Sequence, residues 1–123
     1  MKAFGFYYQC DEGFDGYSAI FHTDDVLKAS QYIINQIRLY LERKDIDHGK
    51  YFYNMITSAD STVFLGPEYM YIDDTIERES FKVYFRNITP EKFLQHIEQT
   101  YVDGDSYFQI VLSEITSRNI IYL

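Results

Sequence analysis

The residues to weigh first for chemistry are three histidines, His22, His48 and His96, and a lone cysteine, Cys10. A structural zinc site needs four ligands, usually in pairs a few residues apart so that one turn offers two of them. None of the histidines stands at that spacing from Cys10 or from another histidine. Cys10 with a histidine has the composition of a thiol nucleophile and its base, but no local sequence supports the pairing, and an inert thiol is the plainer expectation. The run Asp11-Glu12-Gly13-Phe14-Asp15-Gly16 resembles a calcium loop at first sight. It lacks the alternating oxygen ligands and the late bidentate glutamate of an EF-hand, so it reads as a solvated acidic turn. No carboxylates form a recognisable glycosidase pattern, and there is no glycine-rich phosphate loop. The expectation is a protein with no catalytic residue, cofactor or metal, and so not an enzyme.

What remains is surface chemistry. With Glu68 to Asp73 read as a strand, Tyr69, Tyr71 and Asp73 share one face while Met70 and Ile72 share the other. With the apolar pair turned to the core, two tyrosines and an acid point outward and run into Asp74, Glu77 and Glu79. Tyrosine offers contact area at low entropic cost and carboxylates steer association, so this row is the primary candidate for docking a Lys/Arg-rich partner. The plainer alternative is an exposed strand, since tyrosine favours strands, followed by a charged turn that blocks edge aggregation. Secondary candidates are the acidic loop residues Asp11, Glu12 and Asp15, and the pair Tyr32 and Leu39 on the outer side of a helix.

That helix is the strongest structural signal in the chain. From Thr23 to Lys44, the residues Val26, Leu27, Ser30, Ile33, Ile34, Ile37, Tyr40 and Leu41 fall in one stripe at helical spacing. Thr23 is the expected cap, with Asp24 and Asp25 at the positive end and Arg43 and Lys44 at the negative end, giving a helix over about 24–44. Before it, residues 2–8 alternate as an opening strand, and Tyr17 to His22 reads as a second strand hairpin-paired with the first. After it comes a connection, residues 45–50, in which Gly49 is free to take a left-handed conformation. Tyr51 to Thr57 reads as a third strand, Ser61 to Leu65 as a short one, and Glu68 to Asp73 with Ser80 to Arg86 as a further hairpin joined by the charged link Asp73 to Ser80. Phe81, Val83 and Phe85 would then face the core together. Thr89 and Pro90 mark a second helix, with Ile88 and Phe93 as its hydrophobic staple, running to about Tyr101. From Tyr107 the signals compete. Phe108, Ile110 and Leu112 alternate as in a strand, while Tyr107, Phe108, Val111, Leu112 and Ile115 form a helical stripe. Aromatic and β-branched content tips the balance to strand. Asn119 to Leu123 would be a last short strand. The order predicts a single α+β domain over residues 1–123, its mostly antiparallel sheet carrying two helices on one face.

Composition narrows the class further. The 123 residues are 46% hydrophobic and 19% aromatic, which excludes a disordered chain. At this length roughly two-thirds of the extended surface is buried on folding, enough for one core. No apolar run reaches the ~20 residues of a membrane span and no basic-then-apolar leader opens the chain, so a cytoplasmic protein is expected. One cysteine agrees with a reducing compartment. Asp and Glu outnumber Lys and Arg 19 to 11, a formal charge of −8. That disfavours direct binding to nucleic acid or an anionic membrane and favours a basic partner. Thirteen tyrosines and no tryptophan are more phenols than a core easily accommodates, because each hydroxyl needs a partner or water.

In size, acidity, tyrosine and carboxylate abundance and lack of a catalytic constellation, the chain resembles small bacterial immunity proteins of the contact-dependent growth inhibition type. The resemblance is one of general character and rests on no motif. It implies a non-enzymatic antitoxin that binds and neutralises a cognate toxin domain, often a basic nuclease, by covering its active site or docking beside it. The alternatives are a small α+β enzyme or ligand-binding domain with a tyrosine-lined pocket between helix and sheet, and a structural subunit of a homodimer or larger homo-oligomer.

Overall fold

The computed structural model describes residues 2–10, 13–14, 16–43, 47–59, 64–66, 68, 73–97, 101–103 and 106–116. Its elements run β1 (Ala3–Cys10), β2 (Gly13–Phe14), β3 (Ala19–His22), α1 (Val26–Arg43), α2 (Asp47–Ala59), α3 (Asp74–Asn87), α4 (Pro90–Ile97), β4 (Tyr101–Asp103) and β5 (Ser106–Glu114). The fold is α+β with an antiparallel sheet.

β1 is the centre of that sheet. On one edge it pairs with β3, Phe4 opposite Phe21 and Phe6 opposite Ala19, and further along with β2. On the other it pairs with β5, Phe4 opposite Glu114 and Tyr8 opposite Ile110. β4 extends the far side of β5 through a tight hairpin, Asp103 opposite Ser106. Alternation sorts the side chains: Phe4, Phe6, Ile110 and Leu112 are buried on one face, while Ile20, His22 and Ser113 are exposed on the other. On the outer face the Tyr17 ring lies against β1 where Gly5 has no Cβ to obstruct it, edge-on to Tyr7 at 5.5 Å between ring centres.

The helices cover the face of the two phenylalanines. Of the expected stripe α1 buries Ser30, Ile33, Ile34, Ile37 and Leu41, with Ala29 beside them, while Val26, Leu27 and Tyr40 are half-buried. Ser30 is fully buried because its hydroxyl donates back to the Val26 carbonyl at 3.1 Å. The cap is Asp25, two residues later than expected: Asp25 Oδ1 accepts from Leu27 N at 2.9 Å, while Thr23 Oγ1 accepts from Asp25 N. A carboxylate outranks a threonine hydroxyl here because it adds charge at the positive end. Phe93 and Ile97 of α4 complete the same cluster. Thr89 caps α4 as its sequence predicts, accepting from Lys92 N at 3.3 Å.

Two expected strands are helices. Tyr51 to Thr57 belongs to α2, and Ser80 to Arg86 belongs to α3. In α2 the buried residues are Phe52, Tyr53, Met55 and Ile56, a helical set rather than alternate positions. In α3, Phe81 and Phe85 are fully buried, but Val83, which alternation would have placed beside them, is 57% exposed. The charged link is likewise the start of α3: Asp73 Oδ1 accepts from Ile76 N at 2.9 Å as its cap. Phe64 and Leu65 are also helical, Glu68 lies in a 3₁₀ turn, and residues 61–63, 69–72 and 119–123 of the other expected strands lie outside the described residues. The second predicted helix is shorter than expected, ending at Ile97, with Tyr101 already in β4. Gly49 is not left-handed; positive φ occurs at Gly16 and Gly66. It sits inside α2, where an added Cβ would run into the Gln36 carbonyl and the Tyr40 Cβ of α1. The position is set by the close approach of two helices.

One contact locks α3 to α1. The Arg38 guanidinium donates through Nε and Nη2 to the Phe85 carbonyl, at 3.0 and 2.7 Å. That carbonyl is in the last turn of α3, where the helix offers no partner of its own.

Candidate interaction surface

β3 carries the sheet's edge. Among the described residues it pairs only with β1. Thr23 N donates to Lys2 O at 3.1 Å, and Ser18 N donates to Phe6 O at 2.8 Å beside the Phe6–Ala19 pair, a bulge at the strand's start. Antiparallel alternation then places Ala19 and Phe21 in the bonded pairs and turns the backbone groups of Ile20 and His22 away from β1. Nothing in Ala-Ile-Phe-His guards that edge: it has no lysine and no proline, and its shortness is its main protection.

Beside this edge runs an open groove of about 300 Å³ between β3 and the helices, lined by Ile20, Phe21, Tyr32, His48, Tyr51 and Phe52 among others. Phe21 and Phe52 form its aromatic floor, with Tyr32 edge-on to both at 5.8 and 6.4 Å. The Tyr32 hydroxyl and His48 Nδ1 are hydrogen-bonded at 3.1 Å. This bond ties α1 to the start of α2 and fixes the angle at which the Tyr32 ring meets the groove. Tyr51 is 51% and Tyr32 40% exposed, so two large side chains remain open to solvent there, while the exposed Ile20 side chain projects from the other face of the sheet at the groove's edge. Asp24 and Asp25, both exposed, follow the strand.

A second cavity of about 500 Å³ opens between α3 and α4, among Phe64, Tyr84, Asn87, Lys92 and His96. Tyr84 and His96 meet there, hydroxyl to Nδ1, at 2.6 Å. Burial pushes the Tyr84 phenol well above the ordinary tyrosine range. Burial, and then the Lys92 charge, push His96 below the ordinary histidine range. At neutral pH the phenol is therefore the donor and the imidazole the acceptor, a bond between neutral groups. At the start of α3 the Arg78 guanidinium lies over the Tyr40 and Tyr53 rings, 4.9 and 5.9 Å from their centres. Burial, and secondarily the Glu77 charge, raise the Tyr53 phenol to about 12.

The candidate residues from sequence disperse in the fold. Tyr69 and Tyr71 lie outside the described residues, as do Asp11, Glu12 and Asp15. Asp73 is a helix cap, and Asp74 and Glu77 occupy the first turn of α3, where negative charge faces the helix's positive end. Glu79 is fully exposed and bonded to Lys82 at 2.9 Å; that bond, then the ammonium charge, hold its carboxyl below the usual range. These four acids thus lie on the start of a helix and not on a strand and turn. Leu39 is half-buried. Tyr32 is the candidate that the fold places in a formed site. Ile20, His48 and Tyr51 join it there only because α2 is a helix packed on α1, which no local spacing reveals.

Among the described residues, no group of three His, Cys, Asp or Glu side chains is arranged to hold a metal ion, and no helix is long and apolar enough to cross a membrane. No protein-family model, curated protein or solved structure matches the chain.

Proposed function

We propose that this chain is a cytoplasmic immunity protein, a non-enzymatic inhibitor that binds a cognate toxin domain with a basic surface, of the nuclease kind. The observation that carries the reading is the groove at the β3 edge, where Tyr32 and Tyr51 are exposed together on a chain of net charge −8. Exposed tyrosines around an aromatic floor have the composition of a binding hot spot, and the surplus of acids speeds encounter with a basic partner. Carboxylates of the inhibitor would occupy ground that phosphates take on the free toxin. The acids at the start of α3, Asp73, Asp74 and Glu77, add to that field in this reading.

The test is binding to basic toxin domains of the nuclease kind, beginning with any encoded next to this chain, measured at two ionic strengths. The expected result is a tight complex whose association rate falls as salt rises, together with loss of the domain's toxicity on co-expression. No complex at 10-micromolar concentrations (on the order of a weak encounter) refutes the reading. A second reading, a small ligand-binding domain, draws on the same groove, which is tyrosine-lined and lies between helix and sheet. Its volume sits at the lower end of the roughly 300–1,000 Å³ of ligand pockets.

A further inference from the structure

We infer that the partner binds by strand addition: an extended segment of the basic protein pairs with the open edge of β3 and places one large apolar side chain in the groove beside it. The inference rests on the protein-binding reading and specifies how that binding is built. Two observations meet here. The backbone groups of Ile20 and His22 face away from β1 and, among the described residues, no strand pairs with them, so each offers one donor and one acceptor to an incoming strand. The groove of Phe21, Tyr32, Tyr51 and Phe52 runs along that same edge. A strand laid against β3 turns alternate side chains toward the helix-covered face of the sheet, which is the side where Phe21 and Phe52 form the floor. Backbone pairing supplies affinity, and the aromatic groove selects which side chain enters. With four residues, β3 accepts a short strand, so the groove must carry much of the specificity.

Charge identifies the occupant as a basic partner in preference to a second copy. Two copies would bring net charges of −8 together along an edge flanked on each by the exposed Asp24 and Asp25. Like-charged surfaces oppose that pairing, whereas a lysine- or arginine-rich segment is drawn to it.

The test uses the full chain, isotope-labelled, alone and in complex with the basic toxin domain of the binding test above. Amide exchange is expected to be fast at Ile20 and His22 in the free chain and at least a hundredfold slower in the complex. Ile20→Pro removes one outward donor without touching the bonds to β1, since proline is accepted on an edge strand where its nitrogen faces solvent. It should raise Kd about thirtyfold or more, while Ile20→Ala stays within about threefold and shows that the strand tolerates change there. Tyr51→Ala, which leaves the ladder intact, should raise Kd by a similar factor as a groove hot spot. Slow exchange of both amides in the free chain overturns the inference, because another segment or a second copy then already covers the edge. A complex that forms with both amides unprotected, and at wild-type affinity in Ile20→Pro and Tyr51→Ala, overturns strand addition and leaves the inhibitor reading standing. Failure of the domain to bind at all defeats both.

Discussion

Replacing Arg38 with leucine takes away the two donors that hold the end of α3 to α1. Both Nε and Nη2 reach the Phe85 carbonyl, at 3.0 and 2.7 Å, and the arginine is half-buried. A hydrogen bond from a charged group contributes about 1.5–3 kcal/mol, and a cation at a helix C-terminus about 0.3–1 kcal/mol. The two terms share one geometry and do not simply add, so the expected loss is about 2–3 kcal/mol. Lysine keeps the charge but not the planar fork, so Arg38→Lys should lose about 1 kcal/mol, roughly half as much. Urea unfolding followed by circular dichroism measures both, with the slope unchanged if the unfolded state is unaffected. An Arg38→Leu midpoint within about 0.5 kcal/mol of wild type would refute the reasoning, as would equal losses in the two variants. The first result would mean water caps Phe85 as well as arginine does, the second that only charge matters.

Further outcomes follow from the core and from the half-buried histidine. Ile37→Ala leaves a hole on the fully buried side of α1 and should cost about 2–5 kcal/mol; an unchanged denaturation midpoint would contradict the helix phasing. Gly49→Ala should gain about 1 kcal/mol from helix propensity alone. Because its Cβ would meet the backbone of Gln36, the variant should instead lose about 1–3 kcal/mol, and a rise in thermal midpoint would deny the close helix approach. His96 is held below its ordinary range, so the unfolded chain takes up its proton first as pH falls. Its contribution is full above the unfolded value of about 6.5 and declines from there toward the lower folded value. Stability against urea should therefore drop over that window in wild type and drop less in His96→Gln, with Tyr84 and Lys92 present in both.

How much of this was legible in sequence depended on how far the deciding contact lay along the chain. The stripe of α1, the β1–β3 hairpin and the start of α4 at Thr89-Pro90 are written within a few residues, and all three form as expected. The strand at residues 106–114 was a closer contest, decided by β-branched and aromatic content. α2 and α3 were misread because Tyr, Phe and Val favour strands in general, while here tertiary burial selects a helical stripe. Tyr51-Phe52-Tyr53 carries both patterns at once, and only packing on α1 decides. Asp73, followed by Asp74 and Glu77, is a helix-start signal of the kind read near Thr23, where the cap proved to be Asp25; its acids drew attention to their charge instead. The groove shows the same limit. Tyr32 was visible as an outward residue, but its neighbours Ile20, His48 and Tyr51 come from two other elements, β3 and α2.

The position of β1 bears on how the protein is made. Phe4 faces Phe21 on one side and Glu114 on the other, so one edge of the central strand is satisfied early and the other only once residues 106–114 have been made. A ribosome that has released the helices but not yet residues 106–114 carries a nascent chain whose β1 has one bare side, with Phe4 and Phe6 beside it. Such an edge is a template for the wrong neighbour, and pairing across so long a separation in sequence is slow. On a crowded polysome, adjacent nascent copies would present the same bare strand to one another. Stalling before residues 106–114 are made should therefore yield aggregates joined through β1.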